Sequence, residues 1–150
     1  ATLFEAGARI AAVLAGASPE QEDKCARYGA SLGRAFQITD DVLDYSGHAE
    51  DIGKRLGDDL REGKVTLPLI HALRSAVPEQ RELVARAVRD GNGDFGAIAR
   101  IVTDNGSLAY SLKLAQREAD EGRLAIESLP PSDSRDSLIH LLAFAVDRDR

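Results

Sequence analysis

The tetrapeptide Ser18-Pro19-Glu20-Gln21 constrains the fold of this chain more than any other feature of its sequence. Serine can cap a helix, proline at the first helical position has the right φ and no N–H to waste, and glutamine three residues after the serine can return a hydrogen bond to it. No proline follows before Pro68, so one helix can run from residue 19 to about Tyr45. At about 100° per residue, Tyr28, Leu32, Ala35, Ile38, Val42 and Leu43 fall on one side of this helix, while Gln37, Asp40, Asp41 and Asp44 share an arc of about 100° on the other.

The rest of the chain repeats the helical pattern. Leu3, Phe4, Ile10, Ala11 and Leu14 lie close to one face of a first helix that stops at Gly16. Residues 46–66 carry Gly47, Gly53, Gly57 and Gly63 among charges, with no sustained period, and predict a long functional loop containing one helical turn. Pro68, Pro78, Asp94, Ser107 and Asp133 then open five further helices. Asn105-Gly106 and Pro130-Pro131 supply stops between them. Aromatic residues make up only 5% of the chain, and no segment alternates with period two. An all-α helical bundle follows. With no repeat, low-complexity tract or linker, residues 1–150 are expected to form a single helical unit.

A net charge of -6, without any basic run, argues against nucleic acid or an anionic membrane surface as a partner. No apolar run is long enough to span a bilayer, and Ala1-Thr2-Leu3-Phe4 does not have the order of a signal peptide. The one cysteine, Cys25, cannot form an internal disulfide. It reads as a small core residue and fits a reducing, cytoplasmic setting. The chain has no methionine, even at position 1, so a fragment or a processed product is expected.

The chemistry concentrates on the acidic face. Carboxylates about 5 to 7 Å apart repel by roughly 1 to 3 kcal/mol per pair at surface-like dielectric, and no Lys or Arg one turn away relieves Asp40, Asp41 and Asp44. A divalent cation would, and all-oxygen ligation with incomplete protein coordination suits Mg²⁺. His48, His71 and His140 make no metal-ligand spacing with each other or with Cys25, which disfavours zinc. By itself, Asp-Asp-x-x-Asp also fits a solvated acidic face. Lys54 and Lys64 each follow a glycine, so either ammonium can approach a phosphate as a mobile point charge opposite the metal. No Walker loop or nucleophile elbow is present. Ala26, Ala30 and Gly33, on the aspartate stripe, either leave room for an apolar substrate tail or allow close helix packing.

The string Phe36-Gln37-Ile38-Thr39-Asp40-Asp41-Val42-Leu43-Asp44-Tyr45, followed by Gly53-Lys54 and by Gly57-Asp58-Asp59-Leu60-Arg61-Glu62-Gly63-Lys64-Val65-Thr66-Leu67-Pro68, resembles the second signature region of the trans-type prenyl diphosphate synthases. The resemblance is close over residues 1 to about 71. It implies the C-terminal half of the isoprenoid synthase fold, and a prenyltransferase that condenses isopentenyl diphosphate with an allylic diphosphate through metal-assisted ionisation. It also implies Asp40 as a direct Mg²⁺ ligand, Asp41 and Asp44 holding metal-bound waters, and Lys54 and Lys64 on the allylic diphosphate. Gln37 would lie near the developing carbocation and Phe36 near isopentenyl diphosphate. The first aspartate-rich motif of that family has no counterpart in the chain, so the chain alone is expected to be inactive, and the whole protein is expected to be a homodimer. The alternatives are a non-catalytic subunit of a heteromeric synthase and a divalent-ion-binding helical module. Product length is not legible.

Overall fold

In a computed structural model of the chain, residues 1–46, 57–91 and 93–147 are described. Among them the helices are α1 (Thr2–Leu14), α2 (Pro19–Ser46), α3 (Asp58–Arg61), α4 (Leu67–Ser75), α5 (Pro78–Asp90), α6 (Phe95–Asp104), α7 (Ser107–Glu127) and α8 (Asp133–Val146), and no strand occurs. The all-α expectation holds. The capping reasons hold as well. Ser18 Oγ accepts the Gln21 N–H at 3.3 Å while Gln21 Oε1 accepts the Ser18 N–H at 2.9 Å. Asp94 caps α6 through the Ala97 N–H at 3.0 Å, and Ser132 caps α8 through the Arg135 N–H at 3.1 Å.

The chain forms two compact units, residues 1–39 with 113–150 and residues 40–112, with α2 and α7 each contributing to both. In the first, Tyr28, Leu32 and Ala35 of α2 pack with Ala119 and Ile126 of α7 and with Leu142 and Ala145 of α8. Cys25 packs against this core, and burial raises its thiol pKa, as a packing residue requires. Helix α1 lies on α2 through small residues. A Cβ on Gly33 would come within 2.7 Å of the Ala1 Cα, and one on Gly29 would strike the Phe4 carbonyl oxygen. Gly33 therefore serves close packing, not an apolar tail.

One side of α1 departs from the usual pattern. The inward residue is Ala12, while Leu3, Ile10 and Leu14 are 83%, 58% and 82% exposed. Of the apolar face read from the sequence, Leu3, Ile10 and Leu14 point outward, while Phe4 lies on α2 beside Gly29 and Gly33.

In the second unit, Tyr45 of α2 joins Leu60, Leu69, Ala72, Val84, Ala87, Ile98, Ile101 and Val102 in one apolar core. This core anchors the C-terminal end of α2, which carries the acidic residues.

Candidate functional site

Helix α2 presents Asp40, Asp41 and Asp44 half-buried at its C-terminal end, because Val42 and Tyr45 between and beyond them are drawn into the core. The third aspartate has the most defined surroundings. Asp44 Oδ1 accepts the N–H groups of Gly57 and Asp58, both at 3.1 Å, and Oδ2 accepts that of Asp59 at 3.3 Å. The Asp44 carbonyl also accepts the Gly57 N–H at 3.2 Å. This fixes the turn that opens α3.

Gly57 is required in that turn. Its φ is +79°, and a Cβ there would overlap the Phe95 ring. Phe95 in turn stacks on Tyr45 with centroids 5.8 Å apart.

The turn separates two adjacent aspartates. The Asp58 side chain is 49% exposed and pairs with Arg61, whereas the Asp59 side chain is 21% exposed and turns toward α2. Asp59 Oδ1 holds Lys64 Nζ at 3.2 Å, Glu62 holds the same ammonium at 2.6 Å, and the Lys64 N–H donates to the Asp59 carbonyl at 2.8 Å.

These carboxylates disturb one another. Burial first, then the Asp59 charge, then those of Asp40 and Asp44 push Asp41 up to about 6, against the pull of a backbone N–H from Leu67. Asp44 is also raised, by burial and by Asp59, although its three backbone donors oppose the shift. The ion pairs with Glu62 and Asp59 raise the pKa of Lys64. Tyr45 is pushed up to about 12, mainly by burial and then by Asp44. The buried hydroxyls of Tyr45 and Thr66 face each other, but neither meets hydrogen-bonding geometry with any partner.

The second unit thus brings together Asp40, Asp41, Asp44, Asp59 and Lys64. Phe36 and Gln37 lie on α2 in the first unit, both exposed, with the Phe36 ring 5.7 Å from that of Phe4. Lys54 lies outside the described residues. Asp59 is the addition that the sequence did not single out. Its place two residues after Gly57 and five residues before Lys64 was visible, but not which of Asp58 and Asp59 turns inward.

Among the described residues, no three His, Cys, Asp or Glu side chains converge into a protein-only metal cage. Hard carboxylate oxygens, with Asp41 pushed up to about 6 by burial and then by the charges of Asp59, Asp40 and Asp44, fit Mg²⁺ completed by waters or phosphate oxygens.

Residues 1–104 match the polyprenyl synthetase family. The chain belongs to that family. It is 43% identical to the octaprenyl diphosphate synthase of Escherichia coli, over all of this chain and 47% of that protein. It is 42% identical to the geranyl-diphosphate-specific all-trans-nonaprenyl-diphosphate synthase of Rhodobacter capsulatus, over 97% of this chain and 45% of that one. The chain therefore spans about half the length of these relatives. Among solved structures, a polyprenyl synthase from Caulobacter crescentus, complexed with calcium and isoprenyl diphosphate, superposes with a TM-score of 0.89 at 38% identity, covering 99% of this chain and 46% of that one. Membership in the polyprenyl synthetase family accounts for the all-helical architecture. No described helix is long and apolar enough to cross a membrane.

Proposed function

We propose that this chain supplies one metal-and-diphosphate half-site of a Mg²⁺-dependent prenyltransferase that condenses isopentenyl diphosphate with an allylic diphosphate. The observation that carries the reading is that the charges of Asp59, Asp40 and Asp44 all act on Asp41, with Lys64 held on Asp59 at their edge. Four acidic groups and a paired ammonium make a surface that a cation and a diphosphate together would neutralise.

Asp40 would hold the cation and Asp41 its waters, with Asp44 beside them on the 57–59 turn. Lys64 swings from Glu62 and Asp59 onto the allylic diphosphate, joined there by Lys54. When bound, Mg²⁺ neutralises the charge that builds on the departing diphosphate oxygens. Gln37 lies near the carbocation and Phe36 near isopentenyl diphosphate, roles carried over from the family signature. The long-chain products named for the Escherichia coli and Rhodobacter relatives support a long-chain polyprenyl product. A homodimer fits the exposed Leu3, Ile10, Val13 and Leu14 of α1, which association would cover, and the unpaired, half-buried Cys25 fits a cytoplasmic location.

Isothermal titration of the chain with Mg²⁺, with and without inorganic diphosphate, tests the half-site. Weak binding is expected, strengthened by diphosphate and lost in Asp40→Ala. Binding indifferent to diphosphate would favour an ion-binding module, and no binding at all would make the cluster a solvated face. With both prenyl substrates and Mg²⁺ the chain alone should form no condensation product.

A further inference from the structure

We infer that Asp44 is a positioning residue: it serves the diphosphate half-site by fixing the 57–59 turn, and through it Asp59 and Lys64, and is not a holder of the cation. This rests on the half-site reading above. A carboxylate has about four lone-pair positions. In Asp44, two on Oδ1 are taken by the Gly57 and Asp58 amides and one on Oδ2 by the Asp59 amide. Little acceptor capacity is left for metal-bound water. Among the described residues, Asp41, one turn earlier on the same helix, meets one backbone amide, that of Leu67, against three for Asp44.

The turn needs this outside acceptor. Gly57 occupies the N-cap position of α3 and has no side chain with which to cap it. Asp44 supplies the missing oxygens from α2, thirteen to fifteen residues away in sequence.

What it fixes is functional. The Asp59 amide lies on Asp44 Oδ2, the Asp59 carbonyl receives the Lys64 amide at 2.8 Å, and the Asp59 carboxylate holds Lys64 Nζ at 3.2 Å. Displacing the turn would move an acidic group and an ammonium together. One carboxylate thus sets the spacing between the aspartates of α2 and the lysine that answers them.

The chain itself can be tested, with amide hydrogen exchange at residues 57–59 measured without metal, and Mg²⁺ binding measured in the presence of inorganic diphosphate. Asp44→Ala should speed exchange at those amides about tenfold or more, since a local opening replaces three hydrogen bonds, and should weaken diphosphate-linked binding. Asp44→Asn keeps an oxygen for the Gly57 and Asp58 amides and should restore both readouts to within about threefold. Asp40→Ala should abolish binding while leaving exchange at 57–59 as it was. The inference is overturned if Asp44→Asn binds as poorly as Asp44→Ala while its amides stay protected, which is the behaviour of a ligand. It is also overturned if Asp44→Ala leaves exchange unchanged. Absence of any diphosphate-linked binding in the unmodified chain would remove the half-site reading instead, and amide exchange would then decide by itself where the Asp44 oxygens are engaged.

Discussion

The Tyr28 hydroxyl donates a 2.9 Å hydrogen bond to the carbonyl of Leu138, joining α2 to α8 across 110 residues of chain. Tyr28 is buried, and a buried hydroxyl left without its partner is costly. Tyr28→Phe should therefore lower unfolding stability by about 1 kcal/mol, the net worth of one such bond, since the Leu138 carbonyl remains within its helix. Burial also pushes the Tyr28 hydroxyl up to about 12. The folded state holds this proton more tightly than the unfolded chain. Its contribution is therefore complete below pH about 10 and is lost as pH rises from there toward 12. Urea unfolding of both proteins at pH 8 and pH 11 checks this. A gap between them that widened at pH 11 would contradict the assignment.

Gly57→Ala should destabilise the second unit by about 1 to 3 kcal/mol, because a side chain there meets both a left-handed φ and the Phe95 ring. Gly106 also has a positive φ, but a Cβ there meets nothing within 4 Å, so Gly106→Ala should cost clearly less. Thermal unfolding of the pair separates the steric part from the backbone part. Equal losses would show that Phe95 plays no part.

Asp41 gives a pH dependence of defined sign. Its folded-state pKa is raised from 3.8 to about 6, so the folded chain favours the protonated form. Below pH about 4 that preference contributes fully, and it is lost as pH climbs through about 6. At pH 7 without metal, Asp41→Asn should be more stable than the parent by about 1 to 2 kcal/mol, after discounting for partial exposure. The difference should vanish at pH 3.5. Denaturant titrations in a chelator at the two pH values are sufficient, and a destabilised Asn variant at pH 7 would mean that the charge is already compensated.

In the whole enzyme, Asp40→Ala should lower turnover about a hundredfold or more, corresponding to roughly 3 kcal/mol of lost charge stabilisation. Asp58→Ala removes only an exposed pair with Arg61 and should change turnover less than about threefold. Steady-state kinetics at saturating substrates makes the comparison. Small, equal effects would return the α2 cluster to a solvated face.

On the proposed function, in which Lys64 holds the phosphate in the ground state and the transition state alike, Lys64→Ala should weaken use of the allylic diphosphate in both KM and kcat. The size of the loss measures how far Lys64 leaves Asp59 and Glu62 on binding. Unchanged values of both constants would leave the ammonium as a brace for the turn.

Local chemistry wrote much of this protein into its sequence. The Ser18 capping box, Pro78, Asp94 and the residues around Asp133 each satisfy or remove helix-end donors within three residues, so those boundaries were legible without tertiary knowledge. The shared face of Asp40, Asp41 and Asp44 follows from helical geometry in the same way. Which sides are covered did not follow. The outward face of α1 is more apolar than the inward one, because the contact with α2 is set by Gly29 and Gly33, and a glycine does not announce what will approach it. Nor did the sequence tell Asp58 from Asp59, since a turn can aim either of two adjacent aspartates inward. That choice was made by Asp44, whose oxygens hold the turn from another helix, and by Phe95, which leaves room only for glycine beside it. Interactions closed within one helical turn depend on neighbours in sequence, whereas those joining distant segments depend on how the whole chain packs.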